Sequence, residues 1–227
     1  MATRIPDGEK PVMSVPVGAV PVRGRADKYQ AIMRAARVVF GRDGYSRTSI
    51  DAIAAEAGVS SRTIYNHFDS KEQLFSAVLY ASAAQVAEGF AARIERSGLS
   101  WTDPVGDLFA VGYAFAALRI DFPEHFAMVE QIIAEAHHFP PAMIEEAEDV
   151  GPRQVEREVV RRLELLAGNG LLHVRDLPRA ALHFMAVVTA GLTTGRYGSA
   201  PLSEEQIAKT VRSGVDAFLN GYGAKAP

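Results

Sequence analysis

The stretch from Thr48 to Leu74, TSIDAIAAEAGVSSRTIYNHFDSKEQL, leaves this chain few folds to choose from. It reads as two short helices joined by a glycine turn and followed by the start of a third. Thr48 is placed to cap the first helix, with Asp51 three residues on at the positive end of the helix dipole. Ile50, Ile53, Ala54 and Ala57 then repeat at helical spacing. Gly58 can adopt the left-handed conformation that stops a helix and permits a sharp turn. Ser60 starts the next helix as an N-cap, with Val59 and Ile64 at the two ends of a hydrophobic staple. Ile64 then faces inward, and Arg62, Thr63 and Asn66 face out. Arg62 and Asn66 stand four residues apart on one stripe. A short second helix that exposes an arginine and an asparagine suits base edges in a major groove.

A nucleic-acid partner sits oddly with a net charge of −3, until the charge is divided along the chain. Residues 1–71 carry a net +4 and the remainder −7, so the positive charge travels with the helix-turn-helix. The 227 residues are enough for one or two domains with a real core. Without cysteine there is no disulfide, zinc finger or thiol switch. No stretch is expected to span a membrane, which takes about 18 apolar residues. The N-terminus lacks the continuous apolar region of a signal peptide, and a cytoplasmic address fits.

The rest of the chain reads as helix throughout. Residues 1–24 carry Pro6, Pro11, Pro16 and Pro21 and have little to bury, so a disordered tail is expected, with Arg23 and Arg25 near its junction with the first helix. That helix is expected from Asp27, with Ile32, Ala36, Val39 and Phe40 inward and Gly44 closing it. A Ser70–Gln73 capping box opens a long helix to Arg96. Asp103-Pro104 opens a helix apolar on most sides, which predicts enclosure. Further helices follow Phe122-Pro123 and Pro140-Pro141, with Gly151-Pro152 splitting the latter. Two last helices carry apolar stripes. The final one has a Ser203–Gln206 capping box, a Leu202–Ile207 staple, and Ile207, Val211, Val215, Phe218 and Tyr222 along one side. No strand alternation is visible, so the fold class is all-α.

The pieces T-S-I-D-A-I-A, A-G-V-S, T-I-Y-N-H-F and S-K-E-Q-L occur in unbroken order, and together they closely resemble the DNA-binding region of the tetracycline-repressor (TetR) family. The likeness spans about Arg25 to Tyr80. Looser likeness around EAHHFP and GNGLLHVRDLPRAALHF points to one of the family's C-terminal domain types. The resemblance implies a three-helix DNA-binding domain over 25–85, joined by the long helix to an effector-binding and dimerisation domain over 86–227. It implies a homodimer on a near-palindromic operator, released by a small molecule, with no cofactor and no membrane partner. It places DNA contacts on the second motif helix: Arg62 and Asn66 toward bases, Ser61 and Thr63 flanking. Tyr65, His67 and Lys71 match positions that usually touch the DNA backbone, and Arg47 and Thr48 stand where they could do the same.

The resemblance also implies a cavity among the C-terminal helices. Phe109, Tyr113, Phe126, His137, Met143, His183 and Phe184 are the candidate lining, although most of the aromatics in this part are expected simply to be core. An uncharged or weakly polar effector fits such a lining. His137 and His138 are adjacent and are expected on different sides of a helix, so no metal site is expected. No nucleophile–base set is apparent, which weighs against an α-helical enzyme; a DNA-binding protein without an effector is the nearer rival.

Overall fold

The computed structural model describes residues 22–192 and 203–223, and among them every regular element is helical. The tail expected over residues 1–21 and the Leu202 arm of the staple lie outside the described residues. Helix α1 spans Val22–Asp43, five residues earlier than the expected start at Asp27. No proline occurs in the sequence between Pro21 and Pro104, so nothing from residue 22 on removes an N–H from the helix. The next helices are α2 (Ile50–Ala57), α3 (Ser61–Tyr65) and α4 (Lys71–Arg96). Beyond them lie α5 (Pro104–Ala116), α6 (Leu118–Asp121) and α7 (Pro123–Ala134). A 3₁₀ turn over Ala136–His138 leads to α8 (Pro141–Val150) and α9 (Pro152–Gly168), and α10 (Leu177–Val188) and α11 (Glu204–Tyr222) complete the chain.

Two cores share α4. Its first half sends Leu74, Phe75, Val78 and Leu79 into a core with Ile32, Phe40, Ile53 and Ile64. Its second half sends Val86, Phe90 and Ile94 into a core with Leu108, Val159, Phe184 and Phe218. By length and composition α4 could cross a bilayer, contrary to expectation. Its apolar side chains instead supply these two protein cores, so its hydrophobicity has a local use. The first core is completed from beyond position 85, by Met128 of α7, Phe139, and Met143 and Ala147 of α8.

Close backbone approach holds the layers together. At Gly214 an added Cβ would sit 2.5 Å from the Val187 carbonyl, so α11 crosses α10 backbone to backbone. The α11 stripe of Ile207, Val211, Val215 and Phe218 is buried within the protomer, against α5 and α10. Enclosure of α5 is only partial. Leu108, Val111 and Ala114 are buried, while Phe109, Tyr113 and Phe115 lie half-buried and Val105 is exposed. A helix apolar on most sides therefore keeps one side near solvent.

Candidate nucleic-acid interface

The α2–α3 unit is built by local signals. Ser49 caps α2, its hydroxyl accepting from Ala52 N. This corrects the assignment of the cap to Thr48. Thr48 is only 3 % exposed, and its Oγ1 donates to the Gly44 carbonyl at 2.6 Å, so its hydroxyl is turned into the protein. Gly58 ends α2 at φ 65°, and Ser60 caps α3 by accepting from Thr63 N at 3.2 Å. Ile64 anchors α3 in the first core, and Ser61 Oγ donates to Asp51 Oδ1, tying α3 to α2. With the inner side of α3 fixed, Arg62, Tyr65 and Asn66 are exposed, Tyr65 by 55 %. Among the described residues the Arg62 guanidinium has no hydrogen-bond or ion-pair partner. A free guanidinium next to a free carboxamide offers two bidentate groups to a ligand.

The N-terminal end of α1 borders the same face. Gly24, Arg25, Lys28, Thr63, Asn66 and His67 line an open groove of about 670 Å³. Arg25 is the flanking charge visible in the sequence, and Lys28 joins it in this groove. Its signal was the three-residue spacing from Arg25, which places both on one side of α1 once the helix begins at Val22. His67 is half-buried, edge-on to the Tyr29 ring with centroids 5.8 Å apart.

Lys71 is differently engaged. Its Nζ donates to the carbonyls of Tyr45 (2.9 Å) and Thr48 (3.0 Å) and lies 4.4 Å from the Tyr45 ring centroid. The ammonium therefore pins the start of α4 to the α1–α2 turn. Arg47, in that turn, is exposed. The turn is also held from the C-terminal part: Glu135, which ends α7, accepts from Ser46 N at 3.0 Å and Ser46 Oγ at 2.7 Å. Burial raises the Glu135 carboxyl, but the Ser46 hydrogen bonds and the nearby His138 and Arg47 prevail and hold it below the usual carboxylate range.

The seven candidate effector residues are not gathered around one cavity. Phe109 and Tyr113 are stacked, with centroids 5.9 Å apart, beside a cleft of about 240 Å³ lined by Val105, Gly106, Phe109, Arg212, Val215 and Asp216. Phe126 lies half-buried under the Arg119 guanidinium. Phe184 is fully buried in the second core, and Met143 belongs to the first. His183 is exposed, bonded through Nδ1 to the Tyr222 hydroxyl at 2.6 Å. His137 is exposed, and its ring lies 3.9 Å from that of His138. The two rings thus meet rather than diverge, because they sit in a short 3₁₀ turn instead of a regular helix. Among the described residues no three His, Asp or Glu side chains converge in a metal-binding arrangement.

A two-core, all-α chain whose short, well-capped α3 presents unpaired polar side chains outward is a helix-turn-helix protein. Residues 32–78 match the family model of bacterial regulatory proteins of the tetR family, and residues 106–224 match that of the AefR-like transcriptional repressor C-terminal domain. The chain belongs to the TetR family. A TetR-family regulator structure from Mesorhizobium loti superimposes with a TM-score of 0.74 at 28 % identity, covering 89 % of this chain and 100 % of that one. A structure described as the flavonoid-responsive regulator FrrA gives 0.68 at 29 % identity, covering 88 % of this chain and 100 % of that one. The transcriptional repressor AcnR of Corynebacterium efficiens is 37 % identical over 76 residues, 34 % of this chain and 38 % of that protein. The chain spans between 25 % and 52 % of the length of the curated relatives it matches.

Proposed function

We propose that this protein is a homodimeric transcriptional repressor that holds a near-palindromic operator through α3 and lets go when a small, mostly apolar effector binds. The observation that carries this reading is the outward face of α3, where Arg62 and Asn66 stand exposed and Asn66 shares a groove with Arg25 and Lys28 of α1. Arg62 and Asn66 read base edges. Ser61, Thr63, Tyr65, His67 and Arg47 border the groove and meet the backbone. Lys71 and Thr48 act behind them by fixing the α1–α2 turn. Two such units lie in successive major grooves, about 34–36 Å apart. A cytoplasmic location goes with a chromosomal operator.

The test compares an operator selected from random DNA with a scrambled duplex. Arg62→Ala is expected to relax specificity at one or two positions, at a cost of about 1–3 kcal/mol there. Lys28→Ala is expected to weaken both duplexes alike and lower the salt slope by about one counterion. An Arg62→Ala protein with an unchanged ratio between the two duplexes would remove Arg62 from base readout.

For the effector we assign the half-buried Phe109–Tyr113 face of α5. Its stacked rings and adjoining cleft offer apolar surface that solvent can reach, and one structural relative is named for a response to flavonoids, which are planar aromatics. The effector then favours a conformer whose two reading units no longer match the groove spacing. Trp101, the chain's one tryptophan, packs against the same core and gives a fluorescence reporter. With hydroxylated aromatic and medium-chain apolar compounds as probes, Tyr113→Phe is expected to alter the concentration needed for DNA release. Its ligand-free operator affinity is expected to stay within about twofold of wild type, as for a site remote from the DNA face. No stabilisation and no fluorescence change with any probe would favour a DNA-binding protein without an effector.

A further inference from the structure

We infer that Glu135 is a positioning residue for DNA reading: from the C-terminal part of the chain, it sets the angle at which the helix-turn-helix is presented. The inference rests on the two-half-site reading above and concerns a group that reading leaves unused.

The turn between α1 and α2 joins the reading unit to α1 and, with the direct packing of α2 on α1, sets where α2 and α3 sit. Two cations, a carboxylate and an imidazole surround it, His138 Nδ1 lying 3.5 Å from Ser46 Oγ and 3.9 Å from Glu135 Oε2. Lys71 grips its carbonyls from α4, and Arg47 projects outward from it. Glu135 grips Ser46 through both backbone N–H and hydroxyl. The Glu135 side chain is only 14 % exposed although Ser46 lies at the surface, and as an ionised acceptor of two hydrogen bonds from one residue it holds Ser46 in a defined orientation. The protein makes room for this contact. Gly44 stands at φ 79°, and an added Cβ would lie 2.4 Å from Glu135 Oε1. The positive φ favours glycine there, and a side chain at this position would have to displace the end of Glu135 from Ser46.

The grip is transmitted by a stiff element. Helix α7 lies tightly along α1, where a Cβ at Gly41 would come within 3.3 Å of Ala127 Cβ and the Glu124 carbonyl. It is tied to α4 by the buried His125, whose Nδ1 lies 2.9 Å from Ser82 Oγ. Any displacement of α7 relative to α4 thus reaches Ser46 through Glu135. The residue acts through the turn and touches no DNA. Its effect should appear in the relative placement of two reading units and not in what one unit recognises.

The experiment uses full-length protein, a single half-site duplex, and a series of two-half-site operators whose spacing changes one base pair at a time. Wild type is expected to show one spacing optimum. Glu135→Gln removes the charge but keeps the shape. It is expected to hold the single half-site within about twofold of wild type, while its preference for the optimal spacing falls about tenfold, the scale of one charge-assisted hydrogen bond. Ser46→Ala removes the hydroxyl donor and should broaden the optimum in the same direction, and the double variant should exceed neither single by much, as partners in one contact behave. A spacing profile unchanged in both single variants would overturn the inference and leave the operator reading standing. Equal losses on the half-site and on every spacing would overturn it too, since that marks a stability effect alone. A wild-type protein without any spacing optimum would overturn the two-half-site reading, and the inference with it.

Discussion

Phe218→Glu is expected to leave no folded protein, whereas Leu182→Glu is expected to leave a folded monomer. Phe218 is 3 % exposed in the second core, stacked on Tyr222 at 4.7 Å and edge-on to Phe184 at 5.2 Å. Removing such a ring costs about 3–5 kcal/mol, and a buried carboxylate without a partner adds several more. A total of that size rivals the whole stability of a typical domain, about 5–15 kcal/mol. Leu182 stands on the outer side of α10 at 47 % exposure, flanked by the exposed Ala186 and Arg179. Its replacement should change protomer stability by no more than about 0.5 kcal/mol. We propose that side of α10, with Leu182 exposed on it, as the two-fold contact of the dimer, where paired carboxylates would repel. Circular dichroism and sedimentation at micromolar concentration check both. A folded, dimeric Leu182→Glu protein would move the two-fold contact elsewhere, and a folded Phe218→Glu protein would contradict the core described above.

Acid is the second strong lever. His125 is buried between α7 and α4, its Nδ1 paired with Ser82 Oγ; since that hydroxyl already donates to the Leu79 carbonyl, the imidazole is the donor. Burial first, and then the charge of Arg37, lower its pKa from 6.5 to about 4. The unfolded chain therefore binds this proton at a higher pH than the folded one. The resulting penalty is absent above pH 6.5, grows as the pH falls from there to about 4, and is constant below that. At about 1.36 kcal/mol per pH unit, it reaches about 3 kcal/mol. Denaturant midpoints at pH 7 and pH 4.5 check the sign. His125→Leu should lose less stability between the two than wild type. The comparison isolates this group from carboxylates such as Glu135 and Glu158, whose pKa values are lowered and which also lose stabilising charge in acid. Equal acid losses in the two proteins would show that His125 protonates without opening the core.

Much of the reading head was legible because its determinants lie within four residues of one another. Gly58, the Ser60 cap, the Ile64 anchor and the outward Arg62 and Asn66 all follow from helical period and turn chemistry. The cap of α2 was not, since Thr48 and Ser49 are equally able to cap. The choice fell to Ser49 because Thr48 is drawn back to Gly44 and lies under Lys71. Lys71 looked like a free cation in sequence, and its two carbonyl partners, 23 and 26 residues away, decided otherwise. The apolar stripe of α11 was plain, but not which surface it would meet. Gly214, by letting α10 approach backbone to backbone, turns that stripe into the protomer's own core.

By itself, then, the sequence determined the all-α class, the helix-turn-helix and the order of helices, since periodicity, caps and glycines act locally along the chain. The tertiary structure alone decided which apolar faces are core, that α7 and α8 complete the first core, and that Glu135 reaches Ser46 across 89 residues. A contact of that kind leaves no period in the sequence. It depends on how closely two helices pack, and that closeness is set by side chains from every layer at once.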